Sequence, residues 1–340
     1  MYHGEIMSNL LRHNSGLTCE ENYDSRSLEA ESDCPRVSVV ILNWNGIKDT
    51  IECIEALGKI NYPNYDIVVV DNGSSGNDVE ILKQKYGDKI CIIANDRNYG
   101  LSKGRNIGIR YALTNKAEYI QILDNDVIVA PDFLVKMIDV AQSDPNIGAV
   151  GPMICYYEKP DEIAYAGRYI DYWTGFIRTR GKGEIDRGQF NITEDVDCAT
   201  GGTMLISRKA LVAVGLLDER FFFWFEDMEF CARLIKFRFR VVLVPHAKVW
   251  VKKIKKERTS GNIETKEKMS ISGYYFIRNR FIFMKKHCSA PQFITSSLCF
   301  AFSEFPRLSI KFILHYRSLT IVKSSLKGIW DILFGRHLDD

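Results

Sequence analysis

The stretch VSVVILNWNGIKDTIECIEALGKINYPNYDIVVVDNGS, residues 37–74, decides the fold class of this chain. It opens with a β-branched apolar run, continues with apolar residues at helical spacing, and closes with a second apolar run that ends in the polar turn DNGS. Such runs, bounded by polar turns, predict strands, and the segment between them predicts a helix. Parallel strands need a helical crossover, so the stretch predicts a β-α-β unit.

The same alternation continues to about residue 130. A helix is predicted through VEILKQKYG, a strand in KICIIAND, a helix after the glycine-punctuated NYGLSKGRNIG, and a strand in YIQILDNDVIV. Strands that alternate with helices predict an α/β domain, with a mostly parallel sheet flanked by helices on both faces. Ligands of such sheets bind outside the carboxyl ends of the strands. We therefore expect the polar clusters that follow the strands to converge on one rim: residues 43–45, 71–75, 98–106 and 124–126.

The chain divides into three predicted regions. Residues 1–35 are polar with little periodicity and are predicted to be a mobile leader. Residues 36–260 are predicted to form one domain, because no Pro/Ser-rich linker interrupts them. Residues 261–340 are predicted to be a basic, amphipathic helical region, since residues 252–340 hold 17 Lys/Arg against 7 Asp/Glu and interleave aromatic residues with cations. That pattern favours helices on an anionic membrane surface, and helices packed on the core or at an oligomer contact are the alternative.

Composition limits the class and the compartment. The 340 residues are 46% hydrophobic and 26% charged, which is typical of a globular protein. The sequence shows neither a run of about 18 apolar residues nor an N-terminal apolar signal segment, so we expect a cytoplasmic protein. Nine scattered cysteines without a C-x-x-C pair indicate reduced thiols and disfavour a zinc site. We expect no nucleic-acid partner.

The sequence YIQILDNDVI places Asp124 and Asp126 where an apolar run ends. Alternate residues of a strand face the same side, so both carboxylates are predicted to point to one side of the rim, about 7 Å apart. Two hard oxygen ligands so placed suit Mg²⁺ or Mn²⁺, which also take water and substrate phosphates as ligands. For an isolated D-x-D a loop of solvated aspartates is the alternative, and the neighbouring rim residues favour the metal site.

Two further rim segments suit a nucleotide. Asp71 ends a strand, where its carboxylate can accept a hydrogen bond from a ribose hydroxyl or a base N–H, and an Asx turn or helix N-cap is the alternative. In NYGLSKGRNIG, glycines allow the backbone to approach a ligand closely, while Lys and Arg supply cations for phosphate. These residues are Gly100, Lys103, Gly104, Arg105 and Gly108. Their spacing is neither a dinucleotide fingerprint nor a P-loop.

Acidic residues inside an aromatic run form a third candidate. In FFFWFEDMEF, burial of Glu226 or Asp227 beside the aromatic rings would raise the pKa of the carboxyl group, which suits a general base. A helix N-terminus that favours acids is the alternative. In GGTMLIS, Gly201 and Gly202 would let a sugar lie against the backbone, and a plain tight turn is the alternative. We place both glycines and Trp224 on the acceptor side.

The order of the motifs resembles glycosyltransferase family 2 over about residues 37–250. The motifs are VSVVILNWNG, IVVVDNGS, NYGLSKGRNIGI, ILDNDV, ATGGTMLI, FFFWFEDMEFCARL and VPHAKVW, and they are similar to those of rhamnosyltransferase-like members from bacteria and archaea. The resemblance implies a GT-A fold, a nucleotide-diphospho-sugar donor such as dTDP-rhamnose or a UDP-sugar, Mg²⁺ or Mn²⁺, and inverting transfer. It also implies a glycan or lipid-linked acceptor, and a role in cell-wall or polysaccharide biosynthesis at the inner face of the membrane.

Site residues carry over from the resemblance by position. Asp71 would contact the base or ribose, and Asp124 and Asp126 would form the D-x-D motif that holds ribose and metal. Asp227 would be the general base, with Glu226 beside it in the catalytic pair. The remaining donor-binding residues would be Asn43, Asn45, Asn98, Gly100, Gly104, Arg105, Asn106 and Asn125.

Two positions depart from the family pattern. Relatives often carry a histidine directly after the VW of V-P-x-A-x-V-W, where it can complete the metal site, and this chain has Val251. Relatives usually have aspartate where this chain has Glu229, which is a milder change. A catalytically weak relative that binds a nucleotide sugar is therefore one alternative. A nucleotidyltransferase is another, although that class normally has a glycine-rich, Lys/Arg-bearing loop where this chain has NWNG.

Overall fold

The computed structural model describes residues 34–252, 263–316 and 319–333. Its strands are β1 Val37–Asn43, β2 Tyr65–Asp71, β3 Cys91–Ala94, β4 Tyr119–Asp124, β5 Val127–Val129, β6 Ile147–Tyr156, β7 Lys159–Tyr165, β8 Arg168–Ile170, β9 Ile177–Thr179, β10 Glu194–Asp195, β11 Leu205–Ser207 and β12 Arg240–Val251. Its α-helices are α1 Ile47–Leu57, α2 Asp78–Tyr86, α3 Gly100–Thr114, α4 Phe133–Ser143, α5 Arg208–Val214, α6 Glu226–Lys236, α7 Ile263–His287, α8 Ala290–Cys299, α9 Phe305–Tyr316 and α10 Leu319–Leu333.

One large sheet forms the centre of the fold. Its strand order is β10-β12-β6-β11-β4-β1-β2-β3, with β5 paired to β12 and β7 paired to β6. The half built from β3, β2, β1 and β4 is parallel. In the other half, β11 runs antiparallel to both of its neighbours. The predicted α/β class is confirmed, and the parallel register brings the carboxyl ends of β1, β2 and β4 to one edge.

Side chains of β1 alternate between two hydrophobic cores. Val39 and Ile41 pack into the core that includes α1 and α4. Val40 packs into the core on the opposite face, which includes residues of α3 and α6. A sheet covered on both faces buries nearly every residue of its central strands, which explains the continuous apolar runs seen in the sequence.

The C-terminal region contains the predicted helices, and two of them pack closely. A Cβ on Gly328 of α10 would lie 2.9 Å from the Tyr274 carbonyl oxygen of α7, so the two helix backbones are in near contact. The Tyr274 hydroxyl donates to Asp331 at 2.8 Å. Among the described helices, none combines the length and the apolar character needed to cross a bilayer.

Helix α7 is also joined to the main domain. Glu229 of α6 is fully buried and pairs with Arg233 at 2.8 Å and with Lys286 of α7 at 2.7 Å. Although burial opposes ionisation, hydrogen bonds from His287 and Arg233 lower the pKa of Glu229 to about 2. The departure at Glu229 therefore belongs to an ion-pair cluster that binds α7 to α6.

The ends of the predicted regions are described only in part. Of the predicted leader, Cys34 and Pro35 are described, and their carbonyl groups accept hydrogen bonds from Asn64 and Tyr62. Residues 1–33 of the leader, and the lysine-rich stretch from residue 253 to 262, lie outside the described residues.

Candidate active site

Asn43, at the end of β1, organises the polar rim. It is fully buried, and its amide nitrogen donates to Asp71 Oδ2 at 2.7 Å and to Asp78 Oδ2 at 2.9 Å. Its amide oxygen accepts from Thr50 Oγ1 at 2.7 Å. Asn43, which was predicted to line the nucleotide pocket, thus orients Asp71, because a buried amide whose nitrogen and oxygen are both hydrogen-bonded holds its partners in place.

The side chain of Asp71 closes the turn after β2. The Asp71 carboxylate accepts from the Ser74 backbone N–H at 2.9 Å and from the Ser74 hydroxyl at 2.7 Å. Asn45, with a left-handed φ of 53°, accepts from the Ser75 N–H at 2.8 Å and so joins the β1 loop to this turn. Asp71 therefore closes the turn through a residue three positions on, and not as the Asx turn or helix N-cap given as the alternative, and at 2% exposed it lies just beneath the rim surface.

The loop before α3 is tied to the same rim. Asn72 Nδ2 donates to Asn98 Oδ1 at 2.9 Å, and Asn98 Oδ1 also accepts from the Gly100 N–H at 2.8 Å. Gly100 has φ of 80°, and a Cβ there would lie 2.6 Å from Phe222. Only glycine fits this position, because it lies in the left-handed region and in close contact with the aromatic run.

Three residues of helix α3 that were predicted to bind the donor have different contacts in the structure. Arg105 is 2% exposed, and its guanidinium bonds Asp124 Oδ1 at 2.6 Å and Glu226 Oε1 at 2.9 Å. Asn106 donates to the Leu217 carbonyl at 2.9 Å, and a Cβ on Gly104 would lie within 2.7 Å of the Leu42 side chain. In this structure, Arg105 links the D-x-D motif to α6, whereas Asn106 and Gly104 hold α3 against its neighbours.

The D-x-D motif lies at the end of β4 and in the turn that follows. The strand ends at Asp124, and residues 125 and 126 form a turn into β5. The expectation that both aspartates lie on one strand is therefore wrong. Asn125 points back under the rim and donates to Thr50 Oγ1 at 3.0 Å. Burial, and next the negative charge of Asp124, raise the pKa of Asp126 to about 7.

These two carboxylates suit a divalent cation. Their mutual repulsion is what a bound cation would offset, and hard carboxylate oxygens are the ligands that Mg²⁺ and Mn²⁺ prefer. A Cβ on Gly202 would lie 2.4 Å from Asp124 Oδ2, so the glycine leaves that oxygen room. Across the part of the chain that the structure describes, no group of three or more His, Cys, Asp or Glu is placed to hold a metal. Mg²⁺ and Mn²⁺ bind through one or two carboxylates and take substrate phosphates and water as their other ligands, and Asp124 and Asp126 fit that pattern.

Val251 stands beside the motif, as the resemblance implied. It pairs with Val127 across the β5–β12 ladder, one residue from Asp126. The next residue, Lys252, donates its backbone N–H to the Asp126 carbonyl at 3.1 Å. Its ammonium bonds Asp49 at 2.6 Å. The position of the family histidine is therefore filled by an apolar side chain with a lysine after it.

A strained turn places Glu226 and Asp227 at the start of α6. Trp224 and Phe225 both have left-handed backbones, with φ of 70° and 72°, a conformation that costs on the order of 1 kcal/mol per residue. Asn279 of α7 donates to the Phe223 carbonyl at 2.8 Å and to the Trp224 carbonyl at 3.0 Å. Helix α7 thus stabilises the turn that aims the acidic pair.

The acidic pair is buried, and each member contacts an arginine. Asp227 Oδ2 accepts from Arg168 Nη1 at 3.1 Å and from the Gly201 N–H at 3.2 Å. Burial, and next the charge of Asp227, raise the pKa of Glu226 to about 7 against the opposing effect of Arg105. The acidic pair therefore lies at a helix N-terminus, and burial raises the pKa of Glu226 as expected for acids in the aromatic run.

The residues predicted for the acceptor side lie around this pair. Gly201 and Gly202 form a short 3-10 turn, and a Cβ on Gly201 would lie 3.0 Å from Asp227 Cβ. Trp224 is 42% exposed, and its indole N–H donates to Ser272 Oγ at 3.0 Å. The glycine turn thus separates the D-x-D motif from α6, with an exposed aromatic ring beside it.

Sequence reasoning missed several residues of this site. Thr50, Asn72, Arg168 and Asn279 contact predicted site residues, and none was singled out. Arg168 lies 59 residues before Asp227, and Asn279 lies 55 residues after Trp224. The weak signals were an amide between two arginines in the predicted C-terminal helix and a cation after glycine in GRYIDYWTG.

Comparison with known proteins agrees with this geometry. The family "Glycosyl transferase family 2" matches residues 38–215. The dTDP-rhamnosyl transferase RfbF of Shigella flexneri is 25% identical over 256 residues, covering 74% of this chain and 80% of that protein. The low-salt glycan biosynthesis hexosyltransferase Agl10 of Haloferax volcanii is 28% identical over 212 residues, covering 62% and 65%.

Solved structures share the fold. The mannosyltransferase PcManGT from Pyrobaculum calidifontis, solved with GDP-Man and Mn²⁺, superposes with a TM-score of 0.54 at 15% identity and covers 88% of each chain. GalNAc-T7, solved with UDP, GalNAc and Mn²⁺, superposes with a TM-score of 0.54 at 17% identity, and this chain covers 59% of it. The family match extends over the rim, the D-x-D motif and the glycine turn. The chain is therefore a glycosyltransferase with a GT-A fold and belongs to glycosyl transferase family 2.

Proposed function

We propose that this enzyme transfers a sugar from a nucleotide-diphospho-sugar to a hydroxyl group of a glycan or lipid-linked glycan, with inversion at the anomeric carbon. One observation carries the proposal. Arg105 bonds Asp124 of the D-x-D motif and Glu226 of the acidic pair, so the two sets of acids belong to one site. Acids at the rim of a parallel sheet, with a buried base next to them, suit displacement of a diphosphate by a hydroxyl.

The donor would lie along the carboxyl ends of β1, β2 and β4. Asp71 contacts the base or ribose, and the glycine-led start of α3 approaches the phosphates. Asp124 and Asp126 would hold Mg²⁺ or Mn²⁺, which would offset the charge that develops on the leaving diphosphate. The relative that acts as a dTDP-rhamnosyl transferase supports dTDP-rhamnose as donor, with UDP-sugars as the other candidates.

Asp227 acts as the general base in this proposal. Its Oδ2 is held by the Gly201 N–H, while the acceptor hydroxyl approaches over the glycine turn beside Trp224. Because the pKa of Glu226 is raised to about 7, Glu226 is partly protonated near neutrality, which reduces the negative charge beside Asp227. Asp227 then takes the hydroxyl proton as the oxygen attacks the far face of the sugar ring, which inverts the anomeric carbon.

Measurement of nucleoside diphosphate release tests the proposal. dTDP-rhamnose and a set of UDP-sugars are incubated with the protein in Mn²⁺, in Mg²⁺ and in EDTA, and we expect turnover only with metal. Asp227→Asn should lower turnover by roughly 10²–10⁴-fold, whereas Asp161→Asn, an exposed carboxylate on β7, should leave it unchanged. Full activity of Asp227→Asn would contradict the assignment of the base.

Val251 favours a second candidate, a relative that binds a nucleotide sugar without turning it over. Thermal melting separates the two candidates, because a ligand that binds only the folded state raises the melting temperature. A shift with UDP or dTDP and Mn²⁺, without diphosphate release from any of these donors, would select the binding protein.

The acceptor is proposed to be presented at the cytoplasmic face of the membrane. Ile294, Leu298 and Phe302 recur at four-residue spacing along α8 and its continuation, and they are 58%, 52% and 81% exposed. An exposed apolar stripe in a region with 17 Lys/Arg and 7 Asp/Glu suits an anionic lipid surface.

Co-sedimentation with vesicles of phosphatidylglycerol and phosphatidylcholine tests this partner. The double substitution Leu298→Glu and Phe302→Glu should abolish binding. Phe237→Glu, at a position 57% exposed after α6, should preserve it. Equal binding by both variants would remove the membrane partner from the proposal.

A further inference from the structure

Arg168 is a buried cation that contacts the proposed base from outside the main sheet. It begins β8, which forms a two-stranded hairpin with β9. Its Nη1 lies 3.1 Å from Asp227 Oδ2, and the two side chains are 18% and 10% exposed. Its guanidinium carbon also lies 5.3 Å from the centroid of the Tyr165 ring. A buried arginine placed between a ring and a carboxylate has little freedom to turn away.

The backbone around Arg168 is fixed as well. The Arg168 carbonyl accepts from the N–H groups of Asp197 and Cys198, at 3.1 and 3.2 Å. The hydroxyl of Tyr165 donates to the Cys198 carbonyl, so the ring beneath the guanidinium is held by the same segment. This frame brings the arginine to Asp227 from a part of the chain outside both α6 and the main sheet.

The contacts divide the two oxygens of Asp227 into two environments. Oδ2 accepts from Arg168 and from the Gly201 N–H, two donors that come from different loops. Oδ1 accepts from the backbone N–H of Met228 at 2.8 Å. A carboxylate oxygen has about two lone-pair sites, so Oδ2 is saturated and Oδ1 retains one. The free lone pair of Oδ1 is the one that can accept a proton.

The two acids of the pair, Glu226 and Asp227, also have separate cationic partners. Glu226 and Asp227 are adjacent buried acids, and each bonds its own arginine, Arg105 for Glu226 and Arg168 for Asp227. Burial lowers the pKa of the Arg168 guanidinium, but Asp227 and the other negatively charged or ionisable groups around it together more than offset this and raise the pKa above its usual value. Arg168 therefore stays charged and opposes the repulsion between the two acids.

We propose that Arg168 is a positioning residue for the glycosyl transfer reaction: it holds Oδ2 of Asp227 so that Oδ1 faces the acceptor hydroxyl, and it places a positive charge beside the acidic pair. The inference rests on the proposed role of Asp227 as general base. No other described side chain donates a hydrogen bond to the Asp227 carboxylate, so its orientation depends on Arg168 and on the backbone N–H groups of Gly201 and Met228.

Turnover of Arg168→Gln and Arg168→Lys tests the role, with the donor that the wild-type protein uses and pH varied from 5.5 to 9. Arg168→Gln should lower kcat at least about 10-fold and change the donor KM by less than about twofold, because Arg168 does not touch the donor side of the site. The acid limb of its pH profile should move to higher pH, since the acidic pair loses one positive charge. Arg168→Lys should keep the acid limb in place and recover part of kcat.

A double substitution separates positioning from a general structural effect. If Arg168 acts through Asp227, adding Arg168→Gln to Asp227→Asn should cost no further activity, because the group that Arg168 positions is already lost. Arg180→Gln is the matched control. Arg180 follows β9 in the same hairpin, bonds Glu194 at 2.6 Å and stacks over Tyr169, without contact to Asp227. We expect it to leave the pH profile unmoved.

Two results would overturn the inference. One is an equal loss from Arg168→Gln in the wild-type and Asp227→Asn backgrounds, and the other is unchanged kcat and pH profile in Arg168→Gln. Melting of each variant with UDP and Mn²⁺ checks that the fold and the donor site persist, and Arg168→Lys carries the test if Arg168→Gln fails to fold. Full turnover by Asp227→Asn would instead contradict the proposed base, so the two failures are distinguishable.

Discussion

Replacing Asp126 with asparagine should stabilise the folded protein at neutral and alkaline pH while removing its response to Mn²⁺. Burial, together with the charge of Asp124, raises the pKa of Asp126 from 3.8 to about 7. An ionised carboxylate at this position is therefore unfavourable in the folded protein. Asparagine has nearly the same shape and no charge, so it removes the penalty and keeps an acceptor oxygen.

The magnitude follows from the shift. A rise of about 3 pKa units corresponds to at most about 4 kcal/mol of lost stability once the group is ionised. Asp126 is partly exposed, and water screens part of the repulsion. We therefore expect Asp126→Asn to increase the free energy of unfolding by roughly 2–3 kcal/mol at pH 8.

The effect should depend on pH in a defined direction. Below pH 3.8 the carboxyl group is protonated in both the folded and the unfolded protein, so the variant gains nothing. Between pH 3.8 and about 7 the unfolded chain is ionised while the folded protein retains the proton, so wild-type stability falls as pH rises. Above about 7 the penalty is complete, and the difference between variant and wild type is largest.

Urea unfolding at pH 4.5, 6 and 8 in EDTA measures this difference. Asp132→Asn is the control, because Asp132 is half exposed and pairs with Lys136 on the surface, so little change is expected at any pH. Mn²⁺ at pH 8 should stabilise wild type and not Asp126→Asn, because the cation offsets the same repulsion. An equal stability gain at pH 4.5 and pH 8 would refute the reasoning, as would full Mn²⁺ stabilisation of Asp126→Asn.

Three further substitutions probe the rest of the site. Gly202→Ala should abolish the thermal shift produced by UDP with Mn²⁺, because its Cβ would lie 2.4 Å from Asp124 Oδ2, and an unchanged shift would contradict the close approach. Arg105→Met should lower the free energy of unfolding by about 3–5 kcal/mol in urea titrations, since it leaves Glu226 buried without its cation; a loss below about 1 kcal/mol would show that the buried pair has little effect. Asn279→Ala should cost about 1–3 kcal/mol and lower kcat by freeing the strained turn, and normal kcat in a destabilised variant would show that the turn does not depend on it.

Much of the parallel half of the sheet, built from β3, β2, β1 and β4, could be predicted from the sequence because each of its elements is indicated by a local pattern. Each strand of the parallel half is one apolar run, and each polar cluster follows its strand directly, so the mostly parallel sheet and its rim follow from crossover rules. The location of Asp71 and Asp124 at strand ends is of this kind. So is the acidic start of α6, which needs only the sequence FFFWFED.

Local sequence patterns were insufficient where the same residue type can either face a ligand or pack inside the protein. Gly104 and Asn106 were assigned to donor binding, yet in the structure Gly104 packs on Leu42 and Asn106 bonds the segment before the aromatic run. A glycine or an amide in a rim loop looks the same in sequence whether it faces a ligand or a neighbouring strand. The break of β4 at Asp124, which moves Asp126 into a turn, was likewise not recognised, because apolar residues on both sides of DND suggested a single strand.

The sequence by itself determined the α/β class, the rim and the acids that border it, because strands, turns and helix starts are encoded by neighbouring residues. Only the tertiary structure decided how those acids are partnered. Arg105 meets Asp124 and Glu226 across 19 and 121 residues, and Arg168 reaches Asp227 across 59. No local pattern encodes such contacts. They arise because the folded sheet brings distant buried charges together, and each charge must find a partner once water is excluded.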